Sequence, residues 1–177
     1  MKNIPRNIFL AVLSGVLGFL AFPPAEISFL AWVCLIPLIF VINSGTSAKE
    51  NFLYSYLSGA VFFAGLLCWL VNVTVPGMVI LVLLLSICYG LFGLVVGYAL
   101  KYSMDLFLLP FVWVVLEYIR SHLLTGFPWG LLGYSQYTNV SLIQVADFTG
   151  AYGVSFLVVA FNVARLCAER SFDRISA

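Results

Sequence analysis

Residues 78–100 read MVILVLLLSICYGLFGLVVGYAL, with no charged side chain from end to end. A helix rises about 1.5 Å per residue, so this stretch extends about 35 Å, more than the roughly 30 Å of a bilayer's hydrocarbon core. Marking the other apolar runs between polar residues and Pro or Gly breaks adds 8–22, 27–42, 52–71, 106–123 and 151–167. The reading is an all-α polytopic membrane protein with six transmembrane helices. The first two runs are short and are separated only by Pro23-Pro24-Ala25-Glu26. They form a tight hairpin, or helices that stop short of a full crossing.

Composition agrees with that reading. Of 177 residues, 63% are hydrophobic and 8% charged, and the mean hydropathy is +1.11. A soluble domain carries about 25% charged residues, so an ordinary soluble enzyme and a disordered tail are excluded. Eight basic against seven acidic residues leave a net charge of +1 and no basic face, which excludes nucleic acid as a partner. Lys2 and Arg6 ahead of the first run resemble a signal peptide, yet the run ends in Phe22-Pro23-Pro24 without a small-residue cleavage site. Residues 1–177 therefore read as one membrane domain without a soluble catalytic domain.

Placing the N-terminus inside puts Lys2, Arg6, Lys49, Lys101, Arg165, Arg170 and Arg174 on the inner side and leaves Arg120 alone outside. This positive-inside bias favours six crossings with both termini cytoplasmic. Gly90, Gly93 and Gly97 share a stripe, as do Gly15 and Gly18, and small residues so spaced allow helices to pack closely within one bundle. Cys34, Cys68, Cys88 and Cys167 lie in apolar runs without a C-x-x-C pair, and His122 is the only histidine. No metal site and no cofactor are expected.

Polarity concentrates around Glu117-Tyr118-Ile119-Arg120. The i, i+3 spacing sets Glu117 and Arg120 on one helix face, where they can pair. Ionisable groups at this depth point to a functional site, or else to an ion pair that ends a helix while Arg120 reaches for headgroups. Residues 125–149 follow as the longest loop, charged only at Asp147 and rich in Gly, Pro and aromatic residues. Irregular backbone at the membrane must rest on protein or line a wet cavity; the alternative is a plain aromatic anchor in the headgroup layer.

The string Glu117-Tyr118-Ile119-Arg120, followed by Leu124-Thr125-Gly126-Phe127-Pro128-Trp129 and Gly133-Tyr134-Ser135-Gln136, resembles the membrane domain of bacterial apolipoprotein N-acyltransferases. Gly18-Phe19-Leu20-Ala21-Phe22-Pro23-Pro24 is similar to that family's first hairpin, and Gly150-Ala151-Tyr152-Gly153-Val154-Ser155-Phe156 to the start of its sixth helix. The resemblance implies a multi-pass protein of the bacterial cytoplasmic (inner) membrane that serves lipoprotein maturation. Such enzymes move an acyl chain from a phospholipid to the amino group of a diacylglyceryl-cysteine, through a thioester on a catalytic cysteine. Their Glu-Lys-Cys triad belongs to a carbon–nitrogen hydrolase domain that follows a seventh span.

That domain is not among these residues, and Lys2, Lys49 and Lys101 sit at the inner ends of the runs, away from the loop. No catalytic residue is carried over. The chain alone is expected to be inactive, as a fragment, a truncated product or one half of a split enzyme working with a separate carbon–nitrogen hydrolase subunit. Its expected role is lipid presentation to phospholipid and diacylglyceryl lipoprotein partners. Glu117, Arg120, Trp129, Tyr134 and Gln136 are the lipid- or substrate-binding candidates, with Arg120 meeting a phosphate. A stand-alone scaffold that docks another enzyme, and a small transporter, are the competing readings.

Overall fold

Proline and side-chain caps decide where the helices begin. Pro5, Pro37, Pro76 and Pro110 stand in the first turns of α1 (Ile4–Leu20), α2 (Ile36–Asn43), α4 (Val75–Lys101) and α5 (Leu109–His122). A first-turn N–H has no helical partner, so its loss there is harmless. α3 (Ala48–Leu66) opens on a capping box between Ser47 and Glu50. α6 (Val140–Ile143) is a single turn, and α7 (Ala146–Ser176) is broken at Gly150, where φ is 65°. Short 3₁₀ turns cover Ser28–Trp32, Cys68–Asn72, Leu106–Leu108 and Leu132–Gln136. The structure, a computed structural model, describes residues 3–123 and 126–176, with side chains through residue 165. Lys2, Leu124 and Thr125 lie outside the described residues, as do the side chains of Cys167, Arg170 and Arg174.

The expectation of six crossings is overturned. Among the described residues, two helices are long and apolar enough to cross a membrane, Val75–Lys101 and Ala146–Arg165. The run at 27–42 divides into a 3₁₀ turn and an α2 of 8 residues, about 12 Å long, because Pro37 can only start a helix. The run at 106–123 becomes an α5 of 14 residues, about 21 Å. α1 has 17 residues and ends ahead of Pro23-Pro24. α3 has 19, but Lys49, Glu50, Asn51, Ser55 and Ser58 dilute it and Leu67 turns into 3₁₀ backbone.

The glycine stripes do what their spacing suggested, inside the bundle. A Cβ on Gly93 would strike the Ser55 side chain and come within 2.8 Å of the Asn51 carbonyl, so α4 lies directly on α3. α1 meets α3 in the same way, with Gly18 seated on the Phe62 ring. Aromatic rings then lock α3, α4 and α5. Phe63 meets Tyr89 at 5.8 Å, Tyr89 meets Trp113 at 5.0 Å, and Phe92 meets Trp113 at 4.9 Å, each pair edge-on.

One buried amide holds the broken segment. Asn162 Oδ1 accepts from the Leu35 N–H at 2.9 Å, while its Nδ2 donates to the Ala31 and Val158 carbonyls at 3.0 and 2.8 Å. Between the 3₁₀ turn and α2 the backbone lacks helical partners, and Asn162 supplies them. Asn162→Leu keeps the volume but strands these groups. We expect it to cost about 2 kcal/mol, read as a lower unfolding midpoint in detergent.

The surface is apolar and the interior partly polar. Val79, Ile80, Leu83, Leu84 and Phe111 are exposed, whereas Asn51, Ser55, Ser86 and Asn162 are buried. In water, an exposed apolar face this continuous would aggregate. In lipid it is the natural outer surface, so the chain is a membrane protein.

Candidate functional site

Near its C-terminus, α5 brings Glu117 and Arg120 under the segment that follows. Both are buried, at 4% and 8% exposure. They do not pair with each other. Arg120 Nη1 donates to the carbonyls of Phe127 and Trp129 at 3.2 and 2.6 Å, and Nη2 donates to the Gly130 carbonyl at 3.3 Å. Its guanidinium carbon lies 5.3 Å from the centre of the Phe63 ring. Glu117 Oε1 accepts from the Leu132 N–H at 2.7 Å. A planar cation with a fork of donors suits a cluster of carbonyls, and a carboxylate suits an N–H. Successive backbone groups of one loop are thus fastened to one helix face.

Glycine allows the loop to bend back. Gly126 and Gly130 take φ of 67° and 70°, a region that side chains disfavour. At Gly130 a Cβ would also strike Leu66. The Phe127 N–H returns to the Arg120 carbonyl at 3.1 Å, closing the end of α5. Further on, the Gly133 N–H donates to Ser155 Oγ on α7 at 2.8 Å.

The five residues singled out in sequence divide into two sets. Glu117, Arg120 and Gln136 are buried and hold backbone, while Trp129 and Tyr134 are exposed. Gln136 accepts from Trp32 Nε1 at 3.0 Å and donates to the Ser28 carbonyl at 2.9 Å, which joins the loop to the 3₁₀ turn before α2. Tyr137 donates a short hydrogen bond to Glu26. That carboxylate raises the phenol above its usual pKa. The Trp129 ring lies tilted against Phe127 and Trp69, with centroids 5.2 and 6.4 Å away. Sequence reasoning missed Ser155, Trp32 and Asn162 as partners; a lone amide within the apolar run at 151–167 was the available signal for Asn162.

Beneath the loop lies a chamber of about 20 Å³, lined by Phe63, Cys88, Tyr89, Trp113, Leu116, Glu117, Arg120 and Gly130. That is room for about one water. Glu117 Oε2 and Trp113 Nε1, both buried, have no hydrogen bond of ordinary geometry. Of the other cysteines, Cys34 is buried and donates to the Ala31 carbonyl at 3.2 Å, and Cys68 is exposed on the turn after α3.

Comparison with known proteins bears on the whole of this architecture. The chain is 40% identical to an apolipoprotein N-acyltransferase of Geobacter metallireducens over 96% of its own length and 35% of the relative's. It is 33% identical to the Pasteurella multocida apolipoprotein N-acyltransferase, covering 90% of this chain and 32% of that one. The corresponding protein of Chlorobaculum tepidum is 30% identical, over 92% and 32%. The chain thus spans about a third of the length of these relatives. Residues 14–164, which include every helix contact described above, match the apolipoprotein N-acyltransferase N-terminal domain, and the chain belongs to that family.

Proposed function

We propose that this chain is the lipid-presenting membrane part of an apolipoprotein N-acyltransferase of the bacterial inner membrane. It brings a phospholipid acyl donor and a diacylglyceryl lipoprotein to a reactive thiol carried on a carbon–nitrogen hydrolase part, and it does not catalyse acyl transfer by itself. The observation that carries this reading is the loop 126–137. Its backbone is held by Glu117, Arg120 and Gln136 while Trp129 and Tyr134 face outward. A ring that is apolar on its faces and polar at its edge suits the boundary between acyl chains and headgroups. In this arrangement Arg120 acts chiefly through the loop it shapes. Its cationic charge, near the surface beneath Trp129, draws a phosphate toward the rim.

The test uses vesicles containing the chain and a phospholipid with a photoactivatable headgroup. Label is expected on the peptides that carry Trp129 and Tyr134. The double variant Trp129→Ala with Tyr134→Ala should lower it about fivefold or more, since each ring contributes about 0.5–1.5 kcal/mol. Labelling spread evenly over α1 to α7, and unaffected by the double variant, removes the proposal.

A further inference from the structure

The end of the bundle away from this loop holds a second, larger site. Along α4, Cys88 and Tyr89 line the chamber beneath the loop and Lys101 lines this second site, about 18 Å further along the helix axis. Between the α2–α3 connection and the last turns of α4 lies a groove of about 840 Å³, within the roughly 300–1,000 Å³ of ligand pockets. Its two walls differ in chemistry. The connection contributes Thr46 and Ser47, α3 contributes Asn51, and α4 contributes Leu94, Val95 and Lys101.

The groove has built features. Asn51 is buried, its Oδ1 accepts the Thr46 hydroxyl, and its amide sits where a Cβ on Gly97 would be. Glu50 does not line it, because its carboxylate accepts from the Ser47 N–H and Oγ at 2.8 and 2.9 Å. Among the described residues, Lys101 supplies the only ionised side chain of the lining, and its Nζ lies 5.3 Å from the Tyr102 ring centre. The charge of the described lining is therefore positive. From the groove an apolar track runs along one face of α4 through Tyr98, Val95, Leu91, Ile87 and Leu84, all exposed. Steps of three and four residues keep them in line.

A ligand that satisfies a cation and then a lengthwise apolar track is an anionic amphiphile. We infer that this groove binds one anionic phospholipid, with its phosphate at Lys101 and an acyl chain along the α4 track. This resident lipid is separate from the donor and acceptor proposed at the Arg120 loop and does not depend on that reading.

Native mass spectrometry of the chain released from detergent micelles tests it. The probes are phosphatidylglycerol, phosphatidylcholine with the same acyl chains, and inorganic phosphate. One phosphatidylglycerol should be retained about fivefold over phosphatidylcholine, the worth of one basic residue facing an anionic lipid. Lys101→Gln should abolish that preference, and Ala48→Trp, which fills the exposed mouth, should lower retention of both lipids. Lys49→Gln, outside the lining, should leave retention as it is. Equal retention of the two lipids, an unchanged Lys101→Gln, or an equal loss in Lys49→Gln each overturns the inference. Displacement of the lipid by an equal concentration of inorganic phosphate overturns it too, by reducing the groove to a free-anion site.

Discussion

Arg120→Ala is expected to destabilise the folded chain by about 3–5 kcal/mol, because it leaves buried carbonyls without a donor and Glu117 without a nearby cation. The carbonyls of Phe127, Trp129 and Gly130 all point to one guanidinium, so their loss is simultaneous. Thermal unfolding in detergent reads the stability, and tryptophan fluorescence reads the release of Trp129 from Phe127 and Trp69. Arg120→Lys separates charge from shape. An ammonium keeps the charge but cannot span the same carbonyls as a planar fork, so it should recover only a minor part of the loss. If Arg120→Ala unfolds together with the parent chain, the guanidinium is not what shapes the loop.

Gly93→Leu should cost about 3 kcal/mol or more by forcing α3 and α4 apart. The obstacle is the Ser55 side chain together with the Asn51 carbonyl, and a carbonyl that belongs to the helix backbone cannot swing aside. Gly97→Ala faces the tip of the Asn51 side chain instead, which can turn, so its penalty should be clearly smaller. Unfolding midpoints of the two variants, compared in one detergent, decide the matter. A Gly93→Leu protein as stable as Gly97→Ala would show that α3 and α4 are free to separate.

Much of the helical content could be read from the chain, but not how far each helix runs. Residues 78–100 have apolar side chains on every face and no internal break, and α4 extends over all of them. At 27–42 the composition is as apolar, yet Pro37 and the reach of Asn162 from a distant helix turn a single apolar run into a turn and a short helix. Hydropathy counts side chains and is blind to where backbone N–H groups find acceptors. The candidate site shows the same division. The positions of Glu117 and Arg120 on one face followed from spacing, but their partners did not. Intrahelical pairing at i, i+3 competes with a loop that offers each charge a set of backbone dipoles, and the loop wins because it removes desolvated groups that would otherwise be orphaned.

The bonds from Asn162 to Leu35 and from Gln136 to Trp32 join positions 127 and 104 residues apart. Protein synthesis runs in one direction, so the turn at Ser28–Trp32 leaves the ribosome long before either amide exists. Until α7 is inserted, the first hairpin has to wait with unanswered backbone groups, leaning on water, the insertion machinery or its neighbours. The 3₁₀ turn and α2 are therefore completed late, when α7 brings Asn162 against them.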